Sequence, residues 1–151
     1  MIGVADRRGF APPINGGFAG SDYDEPRQGR RLHRTRRRNA FTPKGAVYVG
    51  RPTLWSNPFS GRPKIGHSRS VILYRAWIQG DLTPHILARA GFGEHEIAGL
   101  ARWRARLMPR LGELRGRDLQ CWCPLTSAWC HAEVLLHHVR DLCLHGGAHG
   151  L

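Results

Sequence analysis

The chain predicts a small α/β (or α+β) single domain, a short sheet with about three helices, behind a disordered basic N-terminal arm. Ala46–Val49, a short β-branched and aromatic run, and Leu119–Cys123, which follows a turn, read as strands. Three other segments repeat apolar residues at helical spacing. A length of 151 residues suits one core and not two.

Residues 1–26 mix Gly, Pro, Asp and Ser without period, at net charge −2, and hold too little apolar surface to order themselves. Residues 27–44 carry eight basic side chains and no acid, so +8 of the chain's +12 falls in this block. Residues 1–43 are therefore expected to be disordered, with 27–44 as a basic arm. The domain is expected at 44–143 and a flexible Gly/His tail at 144–151. Arg27, Arg30, Arg31, Arg34, Arg36, Arg37 and Arg38 have two readings: contacts to the phosphates of a nucleotide or nucleic acid, weakening with salt, or a solvated tail or outward-charged edge strand.

Ala46–Val49 ends at Gly50, and the two prolines of Arg51–Phe59 keep that stretch irregular. Ser68 and Ser70 offer N-caps for a helix to Gln79 that buries Val71, Tyr74, Trp77 and Ile78 and stops at Gly80. A second helix over Glu94–Met108 places Ile97, Leu100, Trp103 and Leu107 on one stripe, acids in its first turn and Pro109 at its end. The turn Arg115–Asp118 leads into the strand Leu119–Cys123. The last helix, His131–Cys143, would bury Val134, Leu135, His138, Val139 and Leu142, with Cys143 in the core. Further strands could lie at 30–36 or 111–114, and sheet order stays open.

No run of about 18 apolar residues occurs, which speaks against a membrane span. The first residues lack a secretory h-region, so the cytoplasm is the expected compartment and the four cysteines read as thiols or metal ligands. The P-loop, the dinucleotide fingerprint, H-E-x-x-H and G-x-S-x-G motifs are missing, which removes support for the NTPase, dehydrogenase, metalloprotease and serine-hydrolase classes.

Two constellations carry the candidate chemistry. In Cys121-Trp122-Cys123, residues i and i+2 of a strand share a face, and a six-residue loop returns Cys130-His131 to the same place. Cys121, Cys123, Cys130 and His131 form a candidate zinc set; an iron–sulfur cluster suits the ligand type but not the spacing. Alternatively Cys130, at a helix N-terminus beside His131 and with His67 in support, is a candidate nucleophile, or the group is merely buried. The second constellation is the loop after the first strand, where Arg51 can hold an anion, Trp55 can stack on a base and Asn57 can read a base edge. The preferred reading of Trp55 and Phe59 is that they plug the core, and Asn57 can instead cap the turn with its side chain. Trp122 is a candidate stacking or wall residue. The remaining histidines, His137, His138, His145 and His149, make a weak case for a second metal.

Val47-Tyr-Val-Gly-Arg-Pro-Thr-Leu-Trp-Ser-Asn-Pro-Phe59, Tyr74-Arg-Ala-Trp77, Leu114-Arg-Gly-Arg-Asp-Leu-Gln-Cys-Trp-Cys-Pro124 and Cys130-His-Ala-Glu-Val-Leu-Leu136 resemble, in order over about 44–140, the bacterial and phage domain-of-unknown-function 4326 family. Ser56 stands where that family usually has Gly, Glu133 where Asp is common, and the loop to Cys130 is somewhat long. The resemblance implies no settled activity; it implies that the two constellations are the family's signature blocks, brought together as one site. The function expected is a pocket for a nucleotide, nucleobase or nucleic-acid end beside a metal or thiol group. The alternative is a non-catalytic nucleic-acid-binding module whose Cys/His cluster is only structural.

Overall fold

The structure, a computed structural model, describes residues 27–145. The expectations for 1–26, and for the tail beyond His145, lie outside the described residues. Three short strands, β1 (Arg31–His33), β2 (Val47–Tyr48) and β3 (Leu119–Cys121), form one sheet in the order β1-β3-β2. Both pairings are parallel: Leu32 lies opposite Gln120 on one side of β3, and Tyr48 opposite Gln120 on the other. All three residues of β3 are buried, as a central parallel strand requires.

β1 falls within the 30–36 stretch that allows a further strand, in place of the disorder expected for 27–43. Arg-Leu-His has no strand pattern of its own, and its order comes from a partner 88 residues away in sequence. The Leu119 N–H donates to the Arg30 carbonyl at 2.8 Å and the Arg34 N–H to the Cys121 carbonyl at 2.7 Å. The Asp118 carboxylate accepts the Arg30 N–H at 2.9 Å and the Arg27 guanidinium at 3.0 Å. Arg31 donates to the carbonyls of Ser127, at 3.0 Å, and Pro124. Charges that look solvated in the sequence are thus spent locally on one carboxylate and two carbonyls.

Four helices surround the sheet: α1 (His67–Gln79), α2 (Pro84–Arg89), α3 (Glu94–Leu107) and α4 (His131–His145). The sequence predicts about three. The extra one, α2, is a single short turn set by Thr83, whose hydroxyl accepts the Ile86 N–H at 3.3 Å, and by Pro84 at its first position. α1 starts from Gly66 and not from Ser68 or Ser70. The Ser70 hydroxyl instead donates back to the His67 carbonyl at 2.7 Å. Gly80, in the left-handed conformation at φ 86°, ends it as expected. α3 ends at Leu107, within one residue of the expected Met108, and the chain continues as a 3-10 helix over Met108–Leu114, so 111–114 is not a strand.

The core lies between β3 and the helices. Phe59 meets Trp77 edge-on at 6.2 Å and Trp77 meets Trp103 at 5.9 Å. Each indole N–H finds a carbonyl, Trp77 that of Leu100 and Trp103 that of Leu54. On α4, Val134, Leu135, Leu136 and Val139 are buried, whereas Leu142, expected in the stripe, is exposed where the helix runs past the core. No helix among the described residues is long and apolar enough to cross a membrane.

Because all three strands point the same way, their C-terminal ends deliver Arg34, Gly50-Arg51 and Trp122-Cys123 to one edge of the sheet. Open parallel sheets hold their ligands at that edge.

Candidate metal centre and ligand cleft

A cleft of about 580 Å³ opens at this edge, with Tyr48, Arg51, His67, Trp122, Cys123 and His131 among its walls. Its walls contain no carboxylate. Trp122 is 44% exposed, and its indole N–H donates to the Tyr48 hydroxyl at 2.8 Å, which in turn donates to the Arg51 carbonyl at 3.0 Å. The two aromatic rings are therefore fixed, side by side, on the rim. Gly50 makes this wall possible, since a methyl group there would collide with the Tyr48 ring. The Arg51 guanidinium donates to the Ser60 carbonyl and is otherwise exposed, leaving donors for an anion.

Behind the cleft, β3 and the start of α4 bring three thiols together. The Sγ atoms of Cys121, Cys123 and Cys130 lie within 4.8 Å of one another, and Cys121 and Cys130 are 3.2 Å apart. Cys121 and Cys130 are buried; Cys123 is half-buried and faces the cleft. Three sulfurs around a tetrahedral zinc, with bonds of about 2.3 Å, sit about 3.8 Å apart, so a small spreading of this trio accommodates an ion. The trio could hold a metal. Without a cation only one of the three can ionise readily. S–H bonds from Cys121 and Cys123, helped by the Ala132 N–H at the head of α4, pull the Cys130 thiol far below its usual range. Its partners move the other way. Bonding to Cys123 and Cys130, with burial, pushes Cys121 up. For Cys123 the bond with Cys121 lowers it, but Cys130 and burial raise it on balance.

His131, expected as a fourth ligand, is turned to another task. Its Nε2 lies 2.9 Å from the Val49 carbonyl, which can only accept, so Nε2 carries the proton and Nδ1 keeps its lone pair. Burial holds the ring neutral by lowering its pKa, against the Val49 bond. Tyr74 meets the imidazole edge-on at 5.7 Å and donates its hydroxyl to the Trp55 carbonyl at 2.8 Å. His131 thus ties α4 to the end of β2 and stands outside the thiol trio. Cys130, the expected nucleophile, is 1% exposed and does not reach the cleft wall.

Among the expected ligand residues, Arg51, Asn57 and Trp122 line the cleft, and Trp55 does not. Trp55 is packed into the core because the irregular loop turns its indole inward, with the Arg110 guanidinium 5.9 Å over its ring. All the polar atoms of Asn57 are engaged within the protein: Nδ2 donates to the Ser70 carbonyl at 3.2 Å and its hydroxyl at 3.4 Å, and Oδ1 accepts the Phe59 N–H at 2.9 Å. It staples the loop to α1. Cys143 is half-buried beside the Arg115 guanidinium, not in the core. Tyr48 went unnoticed as a site residue in the sequence. Its place as the last residue of a parallel strand was the signal. His67 holds the Trp129 carbonyl at 2.8 Å, fixing the loop that returns to Cys130.

The sequence model of one family, described as Domain of unknown function (DUF4326), matches residues 32–141. Its start coincides with β1, which belongs to the domain and not to an arm before it. No curated protein and no solved structure matches the chain.

Proposed function

The chain belongs to the DUF4326 family, and from that premise we propose that it binds a nucleotide-type ligand in the cleft, next to a zinc ion held by Cys121, Cys123 and Cys130. One observation carries this reading: the exposed Trp122 ring with the half-buried Tyr48 beside it, a guanidinium with free donors (Arg51) and the half-buried member of a three-thiol cluster (Cys123) line one carboxylate-free space. A planar base suits the aromatic rim, and its phosphate suits Arg51. Thiolate-only ligation favours a soft or borderline cation such as zinc over magnesium or calcium. Three protein ligands leave a fourth position for water or a ligand atom, and zinc there would supply Lewis acidity. This chain's residues would do the rest: Arg51 orients the anion, Tyr48 and Trp122 hold the ring, and His67 and His131 fix the cleft's far wall. Burial of Cys130 favours its role as metal ligand over nucleophilic attack on anything in the cleft.

Native mass spectrometry with elemental analysis, followed by calorimetric titration of nucleoside monophosphates, tests both halves. The expected outcome is about one zinc per chain, lost in Cys123→Ser, and a mononucleotide affinity that falls about tenfold or more in Arg51→Ala, the worth of a charge-assisted hydrogen bond. Freshly purified protein without stoichiometric metal would sink the zinc half. Affinity indifferent to Arg51→Ala would sink the ligand half.

A further inference from the structure

The basic segment divides into two halves that the sequence does not distinguish. Arg27 and Arg30 lie against Asp118, at 3.0 and 3.9 Å, and Arg31 is committed to backbone carbonyls. From Arg34 onward the pattern changes. The Arg34 guanidinium lies over the Tyr48 ring at 4.7 Å and the Trp122 ring at 5.7 Å, and Arg36 lies over Trp122 at 5.9 Å. Arg36, Arg37 and Arg38 are exposed, and among the described residues none of them forms an ion pair.

A second groove, of about 430 Å³, is lined by His33, Arg37, Asn39, Phe41 and Gln120 among others, again without a carboxylate. Phe41 is 74% exposed there, which leaves a bare ring in the groove that Arg37 also lines. The described carboxylates that form ion pairs do so elsewhere: Asp118 at the opposite end of β3, Glu96 with Arg62, Glu113 with Arg110, and Asp141 beside His137. Arg34, which lies over Tyr48 and Trp122, also donates to the Thr42 hydroxyl next to Phe41 at 3.3 Å, so a cationic and aromatic strip leads from Phe41 by way of Arg34 and Trp122 to Arg51.

We infer that this strip is a lane for single-stranded nucleic acid, and that the nucleotide in the cleft is one unit of a polynucleotide. The inference rests on the nucleotide reading of the cleft and extends it. A free mononucleotide would use Arg51 and leave three guanidiniums without phosphates. A strand supplies one phosphate for each, and its unstacked bases have Phe41 and the Arg–Trp122 stack as platforms. A duplex hides the faces of its bases and cannot use them.

The test is fluorescence anisotropy of the full chain with a labelled oligothymidylate of about a dozen nucleotides, the length range of single-strand sites, with its mononucleotide and a duplex of equal length as comparisons. The single strand should bind at least about tenfold tighter than either. In Arg36→Ala/Arg37→Ala/Arg38→Ala, all surface positions, the slope of log K against log salt should shrink by about 2, from about 0.7 per phosphate released. Arg51→Ala should weaken the oligonucleotide as well. An unchanged slope in the triple variant, or a duplex bound as tightly as the single strand, overturns the lane. A strand that binds through the three arginines yet ignores Arg51→Ala overturns its continuation into the cleft. A mononucleotide sensitive to Arg51→Ala, with the strand no tighter, overturns the lane while the cleft reading stands.

Discussion

At the scale of single residues, the buried polar side chains among the described residues are held by specific partners, with one exception. Asn57 satisfies its amide three ways, His131 gives its Nε2 proton to Val49, and Tyr74 gives its hydroxyl proton to Trp55. His138, on α4, has a buried Nε2 with no partner among the described residues. Its desolvation, the largest influence on it, lowers its pKa despite the nearby Asp141. A histidine with a depressed folded pKa stabilises the fold above its unfolded pKa of about 6.5 and loses that contribution as pH falls toward the folded value. His138→Leu removes both the orphaned nitrogen and this proton linkage. Chemical denaturation should find the variant about 1 kcal/mol more stable at neutral pH, the scale of one unsatisfied buried group. The gap should widen between about pH 7 and pH 5, because only the wild-type unfolded chain then gains the proton at this position. A leucine variant less stable than wild type at both pH values would show that Nε2 has a partner in solution.

At the scale of elements, local chemistry and distant pairing had unequal visibility. α1, α3 and α4 were legible because their signals are local: a 3.6-residue apolar period, Gly80 as a stop, acids at the start of α3. β1 was legible only as one option for 30–36, since three residues paired with a strand far along the chain leave no periodicity, and its arginines resemble a tail until Asp118 is seen beneath them. α2 was too short for a period to register. In the site, the thiol trio was legible from i, i+2 geometry, whereas the orientations of Trp55 and His131 depend on which way irregular backbone turns, which spacing does not encode. The docking of β1 also depends on Gly29, where a Cβ would run into the Arg117 carbonyl just ahead of β3. Backbone on both sides leaves no side chain to give way. Gly29→Ala should therefore cost about 2 kcal/mol, in the range of overpacking substitutions, and hydrogen exchange should show the loss concentrated at the amides of residues 30–34. Protection unchanged in that segment would mean that β1 does not rely on this close approach.

At the scale of the whole molecule, the proposed zinc would join the two layers of the fold. Cys121 ends the central strand and Cys130 immediately precedes α4, so an ion bound to both would bolt the sheet to its last helix, with Cys123 closing the loop between them. Hydrophobic contacts already join those layers through Leu119, Leu135 and Val139, so the domain need not unfold without metal. It should instead lose the linkage energy of a ligand that binds only the folded state. That is about 2.7 kcal/mol when free ligand stands at 100 times its Kd, which for a domain of this size is on the order of 10 °C in Tm. Melting the protein with and without a strong zinc chelator should reveal such a drop. In Cys123→Ser the drop should vanish: this half-buried side chain can be replaced without hollowing the core, unlike Cys121 or Cys130, so the variant reports on the ion and not on packing. A chelator-induced shift of equal size in both proteins would place the stabilising ion somewhere other than this trio, and no shift in either would leave the three thiols as packing alone.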